Sequence, residues 1–299
     1  MKNWLLKTAW PMVPPVPYSA FHVVFAVTGI LCAVLLAWSL RGLNQRHYYR
    51  VLFLCGLILA LSELYKQLFI YYIVGQGRYD WWYFPFQLCS LPMYLCLLIP
   101  LFRGNAFGRI LTTFVQDFSL LGGVMALLEP SGLLHPYWTL TLHGLSWHIM
   151  LIFISLFITF AHSQDTDGPT SATPALGHHI SATPAPNRHI SAPPENATAT
   201  ASSAHSLTAY LQMLPLFAIF CLIATAINTM THGAADMFYI SPYYPVTQVV
   251  FDKISILYGT GAGIFIYLLS ICLGGFLCHM GLGYLHGWAN IKNQKGGTH

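Results

Sequence analysis

The sequence contains very little charge. Only 7% of its 299 residues are Asp, Glu, Lys or Arg, whereas 56% are hydrophobic, and the mean hydropathy is +0.58. A water-soluble globule of this size needs more polar surface than these residues provide. The composition therefore excludes an ordinary soluble domain and indicates a protein that lies among membrane lipids.

Two patterns are missing as well: a cluster of basic residues and any Cys-x-x-Cys pair. A nucleic-acid-binding protein requires a clustered basic face, so we expect no nucleic-acid partner. The seven cysteines are an odd number without metal-ligand spacing, which favours neither a disulfide framework nor a thiolate zinc site. His143 and His148 are five residues apart and diverge by about 140° on a helix. We therefore expect no metal site and no cofactor.

Long hydrophobic segments recur along the chain. A spanning helix needs about 20 mostly apolar residues. Seven segments qualify, at residues 21–40, 51–74, 84–102, 107–128, 137–161, 207–227 and 254–278. The sequence therefore predicts an all-α fold, a polytopic membrane helix bundle with about seven transmembrane helices.

The other segments divide this bundle. Prolines interrupt residues 1–20, which are predicted to form an N-terminal arm, and residues 281–299 are predicted to form a C-terminal tail. The bundle itself occupies residues 21–163, with spans one to five, and residues 207–280, with spans six and seven. Residues 164–206 are polar and contain a ten-residue tandem repeat, SATPALGHHI followed by SATPAPNRHI. Such a segment cannot bury an apolar core, so we predict a disordered linker.

The Lys and Arg residues predict the orientation, because cytoplasmic loops carry an excess of them. Placing the N-terminus outside puts eight of these residues inside: Arg41, Arg46, Arg50, Arg103, Arg109, Arg188, Lys292 and Lys295. Four remain outside: Lys2, Lys7, Arg78 and Lys253. We therefore predict a cell-membrane protein whose linker and C-terminus are cytoplasmic.

Three ionisable residues lie within the predicted spans, where a charge is costly without a partner. Glu63 and Lys66 are three residues apart on one helix face and can form an ion pair. Asp117 has no partner in its own helix. We predict that the three form one buried ionic group between spans two and four. Glu63 and Lys66 could serve only to neutralise each other's charge, and this explanation fits the sequence as well as a functional role does.

A second set of polar side chains lies at the predicted outer ends of the spans. Its members are Gln87, Cys89, His143, His148, Asn228 and Asp236. They should share one layer at the depth of the lipid headgroups. This layer fits a pocket and fits an aromatic belt with ordinary interfacial polar groups equally well.

Four segments carry a resemblance to a known family: FPFQLCSLPMYL, FSLLGGVMALLEP, LHGLSWHIMLIFISLFI and INTMTHGAADMFYISP. They resemble motifs of the YwaF-like integral membrane proteins, which are distantly related to transmembrane protein 164. The resemblance runs from about Arg50 to Phe276. Eukaryotic relatives look like lipid acyltransferases that use a cysteine and a histidine, and more distant relatives include fatty-ester hydrolases that use threonine instead of cysteine.

The resemblance implies a catalytic pair by position. The chain has Gln87 where the family usually has histidine, and Phe86 where the eukaryotic nucleophile sits. Cys89 lies three residues further on, near the same helix face and one turn deeper. His148 leads an apolar run, as the histidine of the family does, so Cys89 and His148 are the candidate catalytic residues. The residues expected to bind substrate are Gln87, His143, Asn228 and Asp236.

These residues support more than one class of function. In acyl transfer, an imidazole-activated thiol attacks an ester, and the amide of Gln87 or Asn228 stabilises the oxyanion. In binding or transport, the same layer holds a small solute or a lipid headgroup without covalent chemistry. A scaffold without a small-molecule site is the third possibility. No matched pair of interrupted spans marks a transporter.

The orientation is testable in sealed, oriented vesicles. We expect protease added outside to leave residues 164–206 intact and protease inside to cut them, because the charge distribution places this segment in the cytoplasm. Immunoblotting of the two halves of the bundle measures the cleavage. A cut from outside within this segment would contradict the orientation.

Overall fold

The computed structural model describes residues 2–161, 206–248 and 250–296, which form a bundle of helices. The helices are α1 (Lys2–Leu6), α2 (Ala20–Ser39), α3 (Gln45–Phe69), α4 (Leu91–Leu98), α5 (Ala106–Leu128), α6 (Trp138–Ala161), α7 (Leu207–Met230), α8 (Phe251–Tyr258) and α9 (Thr260–Gly296). No named strand occurs in these residues, so the prediction of an all-α bundle is confirmed. The predicted linker, apart from Ser206, lies outside the described residues.

Six of the described helices are long and apolar enough to cross a membrane: α2, α3, α5, α6, α7 and α9. The predicted span at 84–102 is shorter than expected, because α4 and its flanking 3-10 turns cover only Leu88–Phe102. Proline disfavours a helical conformation of the residue before it, so Pro85 delays the start of this helix. About seven membrane helices remain the correct description.

The centre of the bundle is formed by α5 and α6. Helix α6 packs against α2, α3, α5 and α9, and α5 also packs against α7. Most side chains of α6 are buried, whereas α2 and α9 expose long apolar side chains. Such exposed apolar faces are suited to contact with lipid rather than water.

Gly123 sets the distance between the two central helices. A Cβ atom at this position would lie 2.8 Å from the carbonyl oxygen of His148 and 2.7 Å from Cγ1 of Ile152. Only glycine permits that approach, since helix backbones come this close only where side chains are absent. The close contact fixes His148 beside α5.

The N-terminal arm is tied across one end of the bundle. Leu5 is fully buried in a cluster with Phe69 and Leu140. The backbone N–H of Met12 donates to the carbonyl of Pro136 (3.0 Å), and that of Trp138 donates to the carbonyl of Trp10 (3.0 Å). We call this end, where α6 begins and α3 finishes, the Cys89 end. The opposite end, where α4 finishes and α5 begins, is the Arg103 end.

The last part of the chain differs from its prediction at both boundaries. The sequence predicts a span at 254–278, but the helix breaks at Gly259, whose φ of +91° suits glycine alone. Helix α9 then continues to Gly296, through most of the predicted C-terminal tail. Leu282, His286 and Ala289 lie on one face of α9 and are buried, so packing against the bundle extends this helix.

Asp117 also has a different partner from the predicted one. Its Oδ2 atom lies 2.9 Å from Nδ1 of His279, and both side chains are completely buried. The predicted group with Glu63 and Lys66 is therefore corrected: Glu63 and Lys66 pair on α3, while Asp117 joins α5 to α9. The sequence could not show this, because His279 lies 162 residues further along the chain.

The Asp117–His279 pair should stabilise the α5–α9 contact. We expect His279→Leu to destabilise the protein by about 3 kcal/mol or more, since it leaves a buried carboxylate without its partner. The double variant Asp117→Asn/His279→Leu should recover much of this loss because it removes the carboxylate as well. Thermal midpoints in detergent measure both effects, and equal midpoints for His279→Leu and the wild type would contradict the prediction.

Candidate active site

Lys66 and Glu63 provide the charged part of the site. They lie near the C-terminal end of α3, where Lys66 Nζ is 2.8 Å from Glu63 Oε1. Gln67 Nε2 donates to the same carboxylate oxygen at 2.7 Å and to the carbonyl of Tyr83 at 2.6 Å. Glu63 is buried, whereas the Lys66 side chain keeps 20% of its surface exposed. The Lys66 side chain is therefore partly open to its surroundings, unlike that of Glu63.

Cys89 lies in the 3-10 turn Leu88–Ser90 that leads into α4. Its side chain faces α5 at Gly122, where an added Cβ would lie 3.7 Å from the Cβ of Cys89. The carbonyl of Cys89 accepts a hydrogen bond from the indole Nε1–H of Trp147 on α6 (3.1 Å). Contacts with two central helices thus hold the thiol in place.

His148 follows Trp147 directly on α6 and is 6% exposed. Its Nδ1 lies 2.7 Å from the carbonyl oxygen of Gly144. A carbonyl only accepts, so Nδ1 carries the hydrogen and Nε2 of the neutral ring is left as a proton acceptor. No hydrogen bond joins His148 to the Cys89 thiol in the described part of the chain.

Lys66 lies at the same end of the bundle as the predicted polar layer. In the loop before α6, burial and the charge of Lys66 both lower the pKa of His135. The sequence separates the Glu63–Lys66 pair from the polar layer, whereas the structure places both at the Cys89 end.

His143 lies on α6 between α3 and Trp147. Its ring interacts with the backbone of Ser62 on α3, and its ring centroid lies 5.4 Å from that of Trp147. The side chain therefore has structural contacts, and its predicted part in substrate binding stays a prediction.

Gln87 and Asn228 are predicted to bind substrate, but in the structure both form hydrogen bonds to the protein backbone. Gln87 donates to the carbonyl of Asp236 and accepts from the N–H of Phe238, both at 2.8 Å. Asn228 donates to the carbonyl of Met237 at 3.0 Å and accepts from its N–H at 2.6 Å. Both amides therefore hold the loop after α7, and their predicted use in substrate binding and as oxyanion donors stays a prediction.

That loop has an unusual backbone. Phe238 and Tyr239 have φ values of +59° and +58°, a region that costs about 1–3 kcal/mol for each residue other than glycine. The hydrogen bonds from the side-chain amides of Gln87 and Asn228 to this loop compensate for the strain. The loop is thereby held close to the turn that contains Cys89, two residues after Gln87.

Asp236 lies in the same loop and is 1% exposed. Its Oδ1 accepts from the N–H of Ser241 at 3.0 Å, while Oδ2 is buried without a hydrogen bond among the described residues. Burial raises the pKa of this carboxyl to about 6, and the hydrogen bond from Ser241 opposes the shift. The group is thus shielded by the loop, and its predicted contact with substrate stays a prediction.

Two members of the site were missed at the sequence level as functional residues. Lys66 was visible as a lysine within a span, but its spacing from Glu63 explained it as a neutralised pair. His135 carried no signal, because it lies in a loop whose position depends on how α5 and α6 pack.

The fold and site define a class of protein: a multi-pass membrane helix bundle with a thiol, two imidazoles and a lysine gathered at one end. The chain belongs to the TMEM164 family, a family of transmembrane proteins whose model matches residues 17–167. This match includes Lys66, Cys89, His143 and His148. It supports the relation to transmembrane protein 164, while membership among the YwaF-like proteins stays a prediction. No curated protein and no solved structure matches the chain.

Asp236 predicts a dependence of stability on pH. A carboxyl whose pKa is raised in the folded state stabilises the fold fully below its ordinary value of 3.8, and this contribution is lost as the pH rises through about 6. We therefore expect Asp236→Asn to gain stability relative to the wild type between pH 4 and pH 8. Thermal midpoints of both proteins across this range test it. A difference that does not change with pH would contradict a buried, protonated Asp236.

Proposed function

We propose that the protein is a lipid acyltransferase or lipid-ester hydrolase that acts at the depth of the lipid headgroups, with Cys89 as nucleophile and His148 as base. The resemblance of its motifs to lipid acyl-transfer enzymes supports this proposal. The observation that carries it is the packing of both residues on α5: Gly122 contacts the Cys89 side chain, Gly123 contacts the His148 carbonyl, and the indole of Trp147 donates to the carbonyl of Cys89 at 3.1 Å. On the predicted orientation, the site faces the outer side of the cell membrane.

The first half of the reaction forms a thioester. His148 Nε2 takes the proton of the Cys89 thiol, and the sulfur attacks the carbonyl carbon of an acyl ester. The C–O bond to the alcohol oxygen then breaks, and the imidazolium returns the proton to that oxygen, which releases a lysolipid. The Gly144 carbonyl, 2.7 Å from Nδ1, stabilises the imidazolium.

The second half regenerates the thiol. A lysolipid hydroxyl in the transferase, or water in the hydrolase, gives its proton to His148 and attacks the thioester. The C–S bond breaks and the sulfur takes the proton back from the imidazolium. Atoms and charges balance over the two halves without a further reactant.

Lys66 is the proposed oxyanion-stabilising group. Both tetrahedral intermediates carry a negative oxygen, and a preorganised donor is most effective where water is excluded. Lys66 carries a positive charge and has hydrogen atoms beyond the one directed at Glu63, whereas the neutral amides of Gln87 and Asn228 are held by the loop after α7. The mechanism also requires the thiol and Nε2 to come within hydrogen-bonding distance when a substrate binds, a closure common in enzymes crystallised without substrate.

The alternative is a non-catalytic protein that binds or transports a solute or lipid headgroup. One observation on the described residues favours it: no hydrogen bond joins Cys89 to His148. In that case Lys66 and His143 bind the headgroup.

The test is acyl transfer from a phospholipid with labelled acyl chains to an added lysophospholipid, in reconstituted vesicles. We expect Cys89→Ser and His148→Ala to abolish transfer, because each removes a reacting group. Lys66→Met should lower kcat about 10²–10³-fold, as loss of an oxyanion donor does. Cys96→Ser, seven residues and about 10 Å further along the helix, should leave transfer unchanged.

Two comparisons keep this test interpretable. Lys66→Met leaves Glu63 buried without its partner, so the double variant Glu63→Gln/Lys66→Met separates loss of folding from loss of catalysis. It should fold and remain slow. Transfer that survives Cys89→Ser would remove the mechanism. A wild type that binds lysophospholipid but never turns it over would establish the alternative.

A further inference from the structure

A second feature with binding potential lies at the Arg103 end, away from the candidate active site. A cavity of about 590 Å³ opens there between α3, the finish of α4, and the first turns of α5 and α7. Cys89 lies just before the start of α4, whereas the cavity lies just after the end of α4. Ligand pockets commonly have volumes of about 300–1,000 Å³, so this cavity is large enough for a small molecule or a lipid headgroup.

The cavity is lined by cations without acids. Arg103 and Arg109 contribute to its wall, and no Asp or Glu of the described residues does. Neither guanidinium forms a salt bridge with a carboxylate in this part of the chain. Both arginines are exposed. Two exposed arginines in the wall of a cavity without an acidic lining residue are suited to a multivalent oxyanion, since guanidinium groups bind phosphate in a bidentate manner.

The remaining wall combines apolar residues, such as Ile99 and Phe102, with hydrogen-bonding side chains. Gln116, which is 6% exposed, lines the cavity together with Thr112 and Gln212. Gln116 Nε2 donates to Thr159 at 2.8 Å, which holds the side chain in place. The polar side of this wall can hydrogen-bond the head of a phosphate-bearing molecule.

Two long helices begin at this cavity and add to the same field. Helix α5 is capped by Asn105, whose side chain accepts from the N–H of Gly108, and α7 is capped by Ser206, which accepts from Ala209. All four residues line the cavity. The positive ends of both helix dipoles therefore point at the space that the arginines border, which favours an anion further.

We propose that this cavity binds a phosphate ester, with Arg103 and Arg109 as its charged contacts. The phosphate belongs either to an anionic phospholipid, whose headgroup reaches the cavity from the bilayer, or to a soluble phosphate ester. The site does not depend on Cys89 or on acyl transfer, so it stands or fails independently of the proposed function.

The experiment measures both sources with the full-length protein. In the lipid arm, the protein is reconstituted in nanodiscs of phosphatidylcholine that contain about 10% phosphatidic acid. Native mass spectrometry then measures which lipid the protein retains. In the soluble arm, glycerol 3-phosphate is titrated into detergent-solubilised protein by calorimetry. We expect selective binding in at least one arm. Arg103→Gln and Arg109→Gln should each weaken it about tenfold, as loss of a charge-assisted hydrogen bond does.

Arg46→Gln is the matched control. Arg46 is an exposed arginine near the start of α3, at the same end of the bundle, and it does not line the cavity. Its loss should leave binding unchanged. Retention of phosphatidic acid alone identifies the lipid headgroup as the source, and binding of glycerol 3-phosphate in lipid-free detergent identifies the soluble ester. Binding in neither arm, or equal binding by the Arg103→Gln/Arg109→Gln and Arg46→Gln proteins, would overturn the proposal.

Discussion

The rest of the bundle depends on the contact between α5 and α6 at Gly123. Any side chain there would push against the His148 carbonyl and Ile152, and would force the two central helices apart. Gly122, one residue earlier, has only ordinary van der Waals distance to Cys89. Gly123 therefore sets the depth of the His148 imidazole, and Gly122 sets the position of the Cys89 thiol against α5. The relative heights of Cys89 and His148 are a product of helix packing.

The bundle itself could be predicted because its cause is local. The length of an apolar run decides whether a helix crosses a membrane, and the three-residue spacing of Glu63 and Lys66 decides that they pair. The partner of Asp117 has no such local cause. Within a membrane a buried carboxylate needs a partner, but the choice of His279 depends on α5 lying next to α9, which the sequence pattern does not encode. The boundary of α9 was missed for the same reason, since contact with the bundle decides how far that helix continues.

In the candidate site too, the depth of a residue in the membrane could be predicted from the sequence, whereas the contacts of its side chain could not. Alternating spans predict one end of the bundle for Gln87, Cys89, His148 and Asn228. They do not reveal which side chains are already occupied. Gln87 and Asn228 serve a backbone with positive φ values at Phe238 and Tyr239, and no feature of composition announces such a backbone in residues other than glycine. Gln87 reaches this loop across 149 residues of sequence, so no local pattern predicts the contact.

Helix α9 also determines how the chain tolerates change beside it. Nδ1 of His286 lies 2.9 Å from the carbonyl of Thr159, near the finish of α6, and Nε2 of His279 lies 3.2 Å from the carbonyl of Ser206, where α7 begins. One helix thus positions both points between which the repeat-containing segment must run. For the disordered linker that the sequence predicts, the entropy of loop closure would grow only with the logarithm of its length, so doubling it would cost about 0.6 kcal/mol. On that prediction, tandem copies of the decapeptide could be gained or lost during evolution while the bundle keeps its geometry.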